Sequence, residues 1–256
     1  MTKLVDKVII VTGGAGLLGS EFCLAISRAG AKVIVADINI KRAKEIEVKI
    51  NALGFYADAF QVDINNQINI DDTIKKIDKR YGRIDAIINN AYPKNKNFGK
   101  KLEEVSYDDF NENLSLHLGG YFLIVQRFAL YFKKQGYGNI INMSSIYGLI
   151  APRFEIYNNT TMTMPVEYAV TKSAIIQLSR YFAKYYKKNN IRCNSLSIGG
   201  IEDGQDVAFL QKYNEFCSSK GMLLPMDVIG GLLFLLSDES LYVNGHNLVI
   251  DDGFTL

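Results

Sequence analysis

Three side chains have the types and spacing to move a proton onto or off a substrate oxygen. Tyr168 and Lys172 lie four residues apart in an amphipathic stretch, and residues four apart share one face of a helix. A free phenol ionises near pH 10 and is a poor base at neutrality, but a neighbouring ammonium stabilises the phenolate and lowers that value. By itself a Tyr-x-x-x-Lys pair is a chance occurrence in a chain with fifteen tyrosines. Weight is added by Asn139–Ser145, an apolar-centred strand pattern ending in two hydroxyls. Ser145 at the end of a buried strand is placed to hydrogen-bond and orient a reacting oxygen, although paired serines there also suit the capping of a turn.

A second signal tells what such a pair would work with. The apolar run Val8–Val11 leads into Thr12-Gly13-Gly14-Ala15-Gly16-Leu17-Leu18-Gly19 and then a helical pattern. Gly13, Gly16 and Gly19 supply a tight turn, a backbone without Cβ atoms beside a pyrophosphate, and close packing of helix on strand. The helix start, with Leu17 and Leu18 in the turn, offers N–H groups to the phosphates. Asp37 ends the second strand pattern, eighteen residues after Gly19, where a carboxylate accepts hydrogen bonds from the adenosine ribose. It would repel a 2′-phosphate by roughly 1–4 kcal/mol at ~4 Å, which favours NAD over NADP; Lys41 and Arg42 close by could offset this, and Asp37 could instead cap a helix. With NAD bound, Tyr168 would exchange a proton with substrate during hydride transfer, aided by the positive nicotinamide ring, and Lys172 would hold the nicotinamide ribose.

These residues need a scaffold, and the chain alternates short β-rich runs with longer amphipathic ones. Strands are expected near 7–12, 32–36, 59–62, 84–89, 139–143, 191–197 and 247–250, and helices near 17–29, 40–53, 66–80, 107–135, 167–188 and 225–237. Continuous apolar strands alternating with helices predict an α/β fold, a doubly wound parallel sheet of about seven strands covered on both faces. Its ligands sit at the carboxyl ends of the strands near the switch point. At 256 residues, 48% apolar, with no linker or repeat, the chain is expected to form one domain, 1–256. A net charge of +2 gives no argument for nucleic acid or an anionic membrane. Three scattered cysteines and two histidines form no disulfide framework or metal site. Without a signal-peptide core or a membrane-length apolar run, the expected location is the cytoplasm.

Taken in order, these motifs resemble the short-chain dehydrogenases/reductases from end to end. The resemblance rests on Thr12–Gly19, Asp37, Asp63, Asn89-Asn90-Ala91, Asn142–Ser145 with Gly148, and Tyr168/Lys172. It continues through Asn194, Gly199-Gly200-Ile201, Pro225-Met226-Asp227 and Asp251-Asp252-Gly253. It implies a Rossmann fold and a catalytic trio of Ser145, Tyr168 and Lys172. It also implies that Asp63 and Ile64 lie at the adenine, that Asn90 and Ala91 line the adenosine side, and that Gly199 and Ile201 lie near the nicotinamide. Homodimers or homotetramers are usual in the family, with the helices at 107–135 and 167–188 and the last strand as candidate interfaces.

Several positions depart from the family pattern. Leu17 and Tyr92 stand where glycine is usual, Ile198 replaces a proline, and Asp203 replaces a threonine at the nicotinamide carboxamide. The fourth catalytic position, normally asparagine, falls on His117, with Asn113 one turn earlier on the same face; either would hold the water of a proton relay to Lys172. Twenty-two residues separate Ser145 from Tyr168, against about a dozen in the family. The additional segment, near 154–166, includes Glu155, Tyr157 and several amides and hydroxyls, and long loops in compact domains are usually functional. It suits a polyhydroxylated substrate, although an oligomer contact or an inert loop would also account for it. It is similar to reductases of bacterial flagellin-modification and nine-carbon sugar pathways. The expected function is therefore an NAD(P)-dependent oxidoreductase acting on a secondary alcohol or ketone of a small polar sugar derivative, in surface-glycan biosynthesis. A 3-oxoacyl-carrier-protein reductase and a dinucleotide-binding homologue without chemistry stand as alternatives. Residues 201–224 are expected to form a mobile cover over the site, with Phe209, Tyr213 and Phe216 packing inward or forming a helix's core face.

Overall fold

The strands are β1 (Val8–Thr12), β2 (Lys32–Asp37), β3 (Ala57–Gln61), β4 (Ala86–Asn89), β5 (Gly138–Ser145), β6 (Ile191–Ile198) and β7 (Asn247–Ile250) in the computed structural model, which describes residues 4–256. They form one parallel sheet in the order β3-β2-β1-β4-β5-β6-β7. Every residue of β1, β4 and β5 is buried, as a strand covered on both faces requires. The order reverses between β1 and β4, which pair from Ile9↔Ala86 to Val11↔Ile88. The ends of β1, β4 and β5 therefore bring Thr12, Asn89 and Ser145 to the same edge of the sheet.

The principal helices are α1 (Leu17–Arg28), α2 (Ile40–Ala52), α3 (Gln67–Tyr81), α4 (Tyr107–Leu114), α5 (Gly120–Gln135), α6 (Val166–Tyr185), α7 (Val207–Asn214) and α8 (Ile229–Leu236). One apolar layer joins the sheet to α3, α5 and α6 through residues such as Ile74, Tyr121, Phe128, Phe132 and Ile175. The opposite layer joins it to α1, α2 and α8 through Phe22, Ile26, Ile50, Leu232 and Leu235. Among the described residues no helix is long and apolar enough to cross a membrane.

The helical pattern at 107–135 is interrupted. A π-helical turn at Ser115–Gly119 separates α4 from α5. Such a turn carries one residue beyond the α-helical count and often marks a functional site; here it holds His117. The stretch at 201–224 is not irregular throughout. It contains α7, capped by the Asp206 carboxylate, which accepts from the Ala208 amide at 2.7 Å. Phe209 and Tyr213 turn inward, and Tyr213 stacks on Phe254 at 4.3 Å. The additional segment at 154–166 begins with a 3-10 turn, Phe154–Tyr157, and meets α7 there: the Tyr157 ring lies 5.3 Å from that of Phe209. These residues, with Ile146, Tyr147, Ile156 and Met222, form a third apolar cluster beyond the ends of β5 and β6.

Phe132 of α5 is fully buried against Gly138, where a Cβ would approach its Cγ to 2.1 Å. Phe132→Ala opens a cavity that this tight fit cannot refill, and is expected to cost about 3–5 kcal/mol. Reversible thermal or urea unfolding should register it as a drop in midpoint of roughly 10 °C or the corresponding shift.

Candidate active site

The glycine turn between β1 and α1 has the form its spacing implies. Gly13 adopts φ +62°, and a Cβ there would lie 2.8 Å from the Ala91 Cα; at Gly19 a Cβ would sit 2.0 Å from the Gly13 carbonyl oxygen. Side chains at these two positions would push apart the turn, α1 and the end of β4. No side chain caps α1 and no acidic residue occupies its first turn, which leaves its N–H groups directed outward for an anion. Leu17 is half exposed at the helix start, so a side chain in place of the family's glycine meets no obstruction in the chain itself. Thr12 and Asn90 brace the turn. The Asn90 and Ala91 amides donate to Thr12 Oγ1 at 2.9 and 3.1 Å, and Asn90 Nδ2 donates to the Thr12 carbonyl at 3.1 Å. Asp37 does not cap α2, since Asn39 does. Instead its carboxylate accepts from the Ala15 amide at 3.1 Å and the Asn39 amide at 2.9 Å, at the edge of the cleft.

Gly13, Gly16, Leu17, Leu18, Gly19, Asp37, Asp63, Ile64, Asn90, Ala91 and Ile201 all line one cleft of about 780 Å³. Gly199 does not; its amide donates to the Ile250 carbonyl at 2.8 Å and it sits against Asp251. Asp203 is exposed, its amide bonded to Gln205 Oε1 at 2.7 Å. The cleft wall also contains Ile38, Val62, Tyr92, Lys94 and Leu116. Residues of this kind escape a motif reading because they belong to no short spacing, and only Tyr92 was signalled, by the glycine it replaces. A glycine turn at a helix start, an acid at the end of β2 and an open cleft between them fit a dinucleotide.

Tyr168 and Lys172 do not line this cleft either; they adjoin it through Tyr92, where the N-terminal part of α6 packs against the end of β5. Ser144 Oγ donates to the Lys172 carbonyl at 2.8 Å, and Lys172 Nζ donates to the Met143 carbonyl at 3.0 Å, fastening helix to strand from both directions. The Ser145 hydroxyl accepts from the Tyr147 amide at 3.3 Å and lies near enough to the Tyr168 phenol to pull its value down, so the phenol, hydroxyl and amine stand together. Lys172 Nζ lies 5.5 Å from the Tyr168 ring centroid and 5.7 Å from those of Tyr92 and Tyr121. Burial lowers the Lys172 value to about 7. Burial also raises the Tyr168 phenol above its ordinary value, with the nearby Ser145 hydroxyl pulling the other way. The lowering of the phenol expected from its ammonium neighbour is thus not found in the chain alone. The amine is as desolvated as the phenol and gives up its proton near neutrality.

The two candidates for the fourth position differ in their hydrogen bonds. His117 is buried between Tyr92 and Tyr121, at ring distances of 4.9 and 5.0 Å, and its Nε2 has no hydrogen-bond partner. Burial and the nearby charge of Lys172 hold it well below the usual histidine value, so it is a neutral imidazole. Asn113 is committed elsewhere: its Oδ1 accepts from the Asn95 amide at 2.9 Å, and its Nδ2 donates to Glu167 Oε1 at 3.2 Å. Tyr121 was not singled out from sequence. It lies four residues beyond His117, is fully buried, and has an unpaired hydroxyl; the i, i+4 spacing was the available signal.

Comparison with known proteins gives concordant matches. The family profile described as enoyl-(acyl carrier protein) reductase matches residues 15–255. The chain is 44% identical to the post-translational flagellin modification protein A of Campylobacter coli, over 99% of this chain and all of that protein. It is 30% identical to a 3-oxoacyl-[acyl-carrier-protein] reductase of Thermotoga maritima, over 99% and 100% of the two chains. The crystal structure of a short-chain dehydrogenase from Leptospira borgpetersenii with bound NAD+ superposes with a TM-score of 0.86 at 33% identity, covering 99% of this chain and 94% of that one.

The buried amine makes stability depend on pH. Its folded value of about 7 lies below the ordinary lysine value of 10.5, so between these the unfolded chain binds more protons and stability rises with pH. Lys172→Met removes this penalty. The variant is expected to melt above the wild type at about pH 6, with the gap closing toward about pH 10. A gap of constant size, or a variant that melts lower throughout, contradicts the assignment.

Proposed function

The chain belongs to the short-chain dehydrogenase/reductase family and is an oxidoreductase of that family, and we propose that it uses NAD to interconvert a secondary alcohol and a ketone on a sugar or nucleotide sugar. The observation that carries the reading is the grouping of Ser145, Tyr168 and Lys172 next to Tyr92, which lines the cleft that holds the glycine turn and Asp37. A nicotinamide dinucleotide, when bound, supplies or accepts the hydride. The neutral Tyr168 phenol gives its proton to the carbonyl oxygen in reduction and recovers it in oxidation. Ser145 Oγ orients that oxygen, and Lys172 Nζ holds the nicotinamide ribose. The unpaired Nε2 of His117 holds the water through which Lys172 exchanges protons with solvent, in the place usual for asparagine. Asp37 accepts from the adenosine ribose, which is the support for NAD over NADP.

The sugar reading draws on the flagellin-modification relative, on the polar segment at 154–166, and on the hydroxyls around Tyr147 and Tyr157, which lie 3.3 Å apart. Surface-glycan biosynthesis in the cytoplasm is the matching setting. The whole of 1–256 acts in this reading as one dinucleotide-binding and catalytic domain. Phe122 on α5 with Val170, Tyr181 and Tyr185 on α6 are exposed large apolar residues, and they support self-association as a homodimer or homotetramer. The 30% identical reductase favours a second reading, reduction of a 3-oxoacyl thioester.

Tyr168→Phe is expected to lower turnover by roughly 100- to 10,000-fold while fluorescence titration still shows NADH binding. Near-normal turnover in that variant removes the mechanism. Faster turnover of an oxoacyl thioester with NADPH than of any sugar with NADH decides for the second reading.

A further inference from the structure

The geometry points to Lys94 as an anion-binding specificity residue that selects sugars bearing a carboxylate or phosphate; this rests on the sugar-oxidoreductase reading above. Lys94 is the only cationic residue in the cleft wall among the described residues, and the two acids there, Asp37 and Asp63, stand with the glycine turn at the adenosine end. Its Nζ lies 5.7 Å from the ring centroids of both Tyr92 and Phe98, which pack edge-to-face on each other. Tyr92 in turn packs edge-on against Tyr168 at 5.7 Å. The ammonium is thus set one aromatic ring away from the phenol that moves the proton. An acidic group on a sugar would reach it while a carbonyl elsewhere on the same molecule faced Tyr168.

The loop that carries Lys94 is held, and its acids are already used. Asn95 Nδ2 donates to Asp109 at 2.9 Å and to Glu112 at 2.7 Å, Asn97 Nδ2 donates to Asp109 at 2.8 Å, and Lys100 pairs with Asp109 at 3.3 Å. The Asn95 amide and Glu167 are both joined to Asn113, which ties the loop to the residue next to Tyr168. Among the described residues, no carboxylate lies within 4.0 Å of the Lys94 ammonium. Lys94 is exposed at the cleft's edge, and an ammonium without a paired carboxylate, lying over two rings on a held loop, is free to attract an anion entering the cleft.

The test compares wild type, Lys94→Met and Lys94→Arg, by thermal shift with NADH bound and by turnover with NAD+ for alcohol oxidation and NADH for carbonyl reduction. Paired probes are N-acetylneuraminic acid with its methyl ester, and glucose 6-phosphate with glucose. The charged member of a pair should stabilise the wild type more than its neutral partner, and the pair that responds identifies carboxylate or phosphate as the group read. Lys94→Met should reduce the charged-to-neutral ratio of binding or kcat/KM by about five- to ten-fold, and Lys94→Arg should restore most of it. A ratio unchanged in Lys94→Met overturns the assignment of Lys94 alone. So does a loss of NADH binding in Lys94→Met without sugar, which would give this cation to the dinucleotide. No response of the wild type to any of the four sugars overturns the sugar reading, and this inference with it.

Discussion

A lysine amine buried without a carboxylate is the constraint around which the catalytic end is built. Desolvating an ammonium costs several kcal/mol, and here only the Met143 carbonyl and the faces of three tyrosine rings offset it. The amine stays buried because the rest of the fold holds it there. β5 is buried along its whole length, and Ser144 pins the Lys172 main chain to it. A group brought to a value of about 7 in this way responds to small changes in its surroundings. In the proposed mechanism, that responsiveness serves a phenol that both gives and takes a proton.

The cleft has two chemically distinct ends. Near the switch point its wall combines the glycine turn and two carboxylates with apolar side chains such as Ile38, Val62 and Ile64, which suits a pyrophosphate, hydroxyls and a flat base. At the catalytic end Tyr92, His117, Tyr121 and Tyr168 form a chain of edge-on and tilted ring contacts. These rings exclude water from Lys172 while their faces tolerate its charge. Tyr92 links the two halves. It follows Asn90 and Ala91, which brace the glycine turn, and it touches the phenol. The π-helical turn at Ser115–Gly119 completes the arrangement by placing a neutral imidazole against the rings. Beyond the sheet edge, the additional segment and α7 share an apolar cluster with Tyr147, so the wall next to Ser145 is built from sequence-distant pieces.

The order of elements, the parallel sheet, the glycine turn, Asp37 and the Ser145/Tyr168/Lys172 grouping were legible in the chain. Each depends on a local period or a short spacing: continuous apolar strands, three-residue glycine intervals, and four residues between phenol and amine. Tertiary structure decided the rest, because the deciding partners are far apart in sequence. Asn113 and His117 lie on neighbouring turns with equal claims, yet Asn95 and Glu167 occupy the first and leave the second facing Lys172. For residues 201–224 the spacing of Phe209, Tyr213 and Phe216 allowed either a mobile cover or a helix's core face, and the helix is seen because Phe209 and Tyr213 find their cover in Tyr157 and Phe254. Spacing could place an amine beside a phenol, but the charge that each carries follows from how much water the surrounding fold removes.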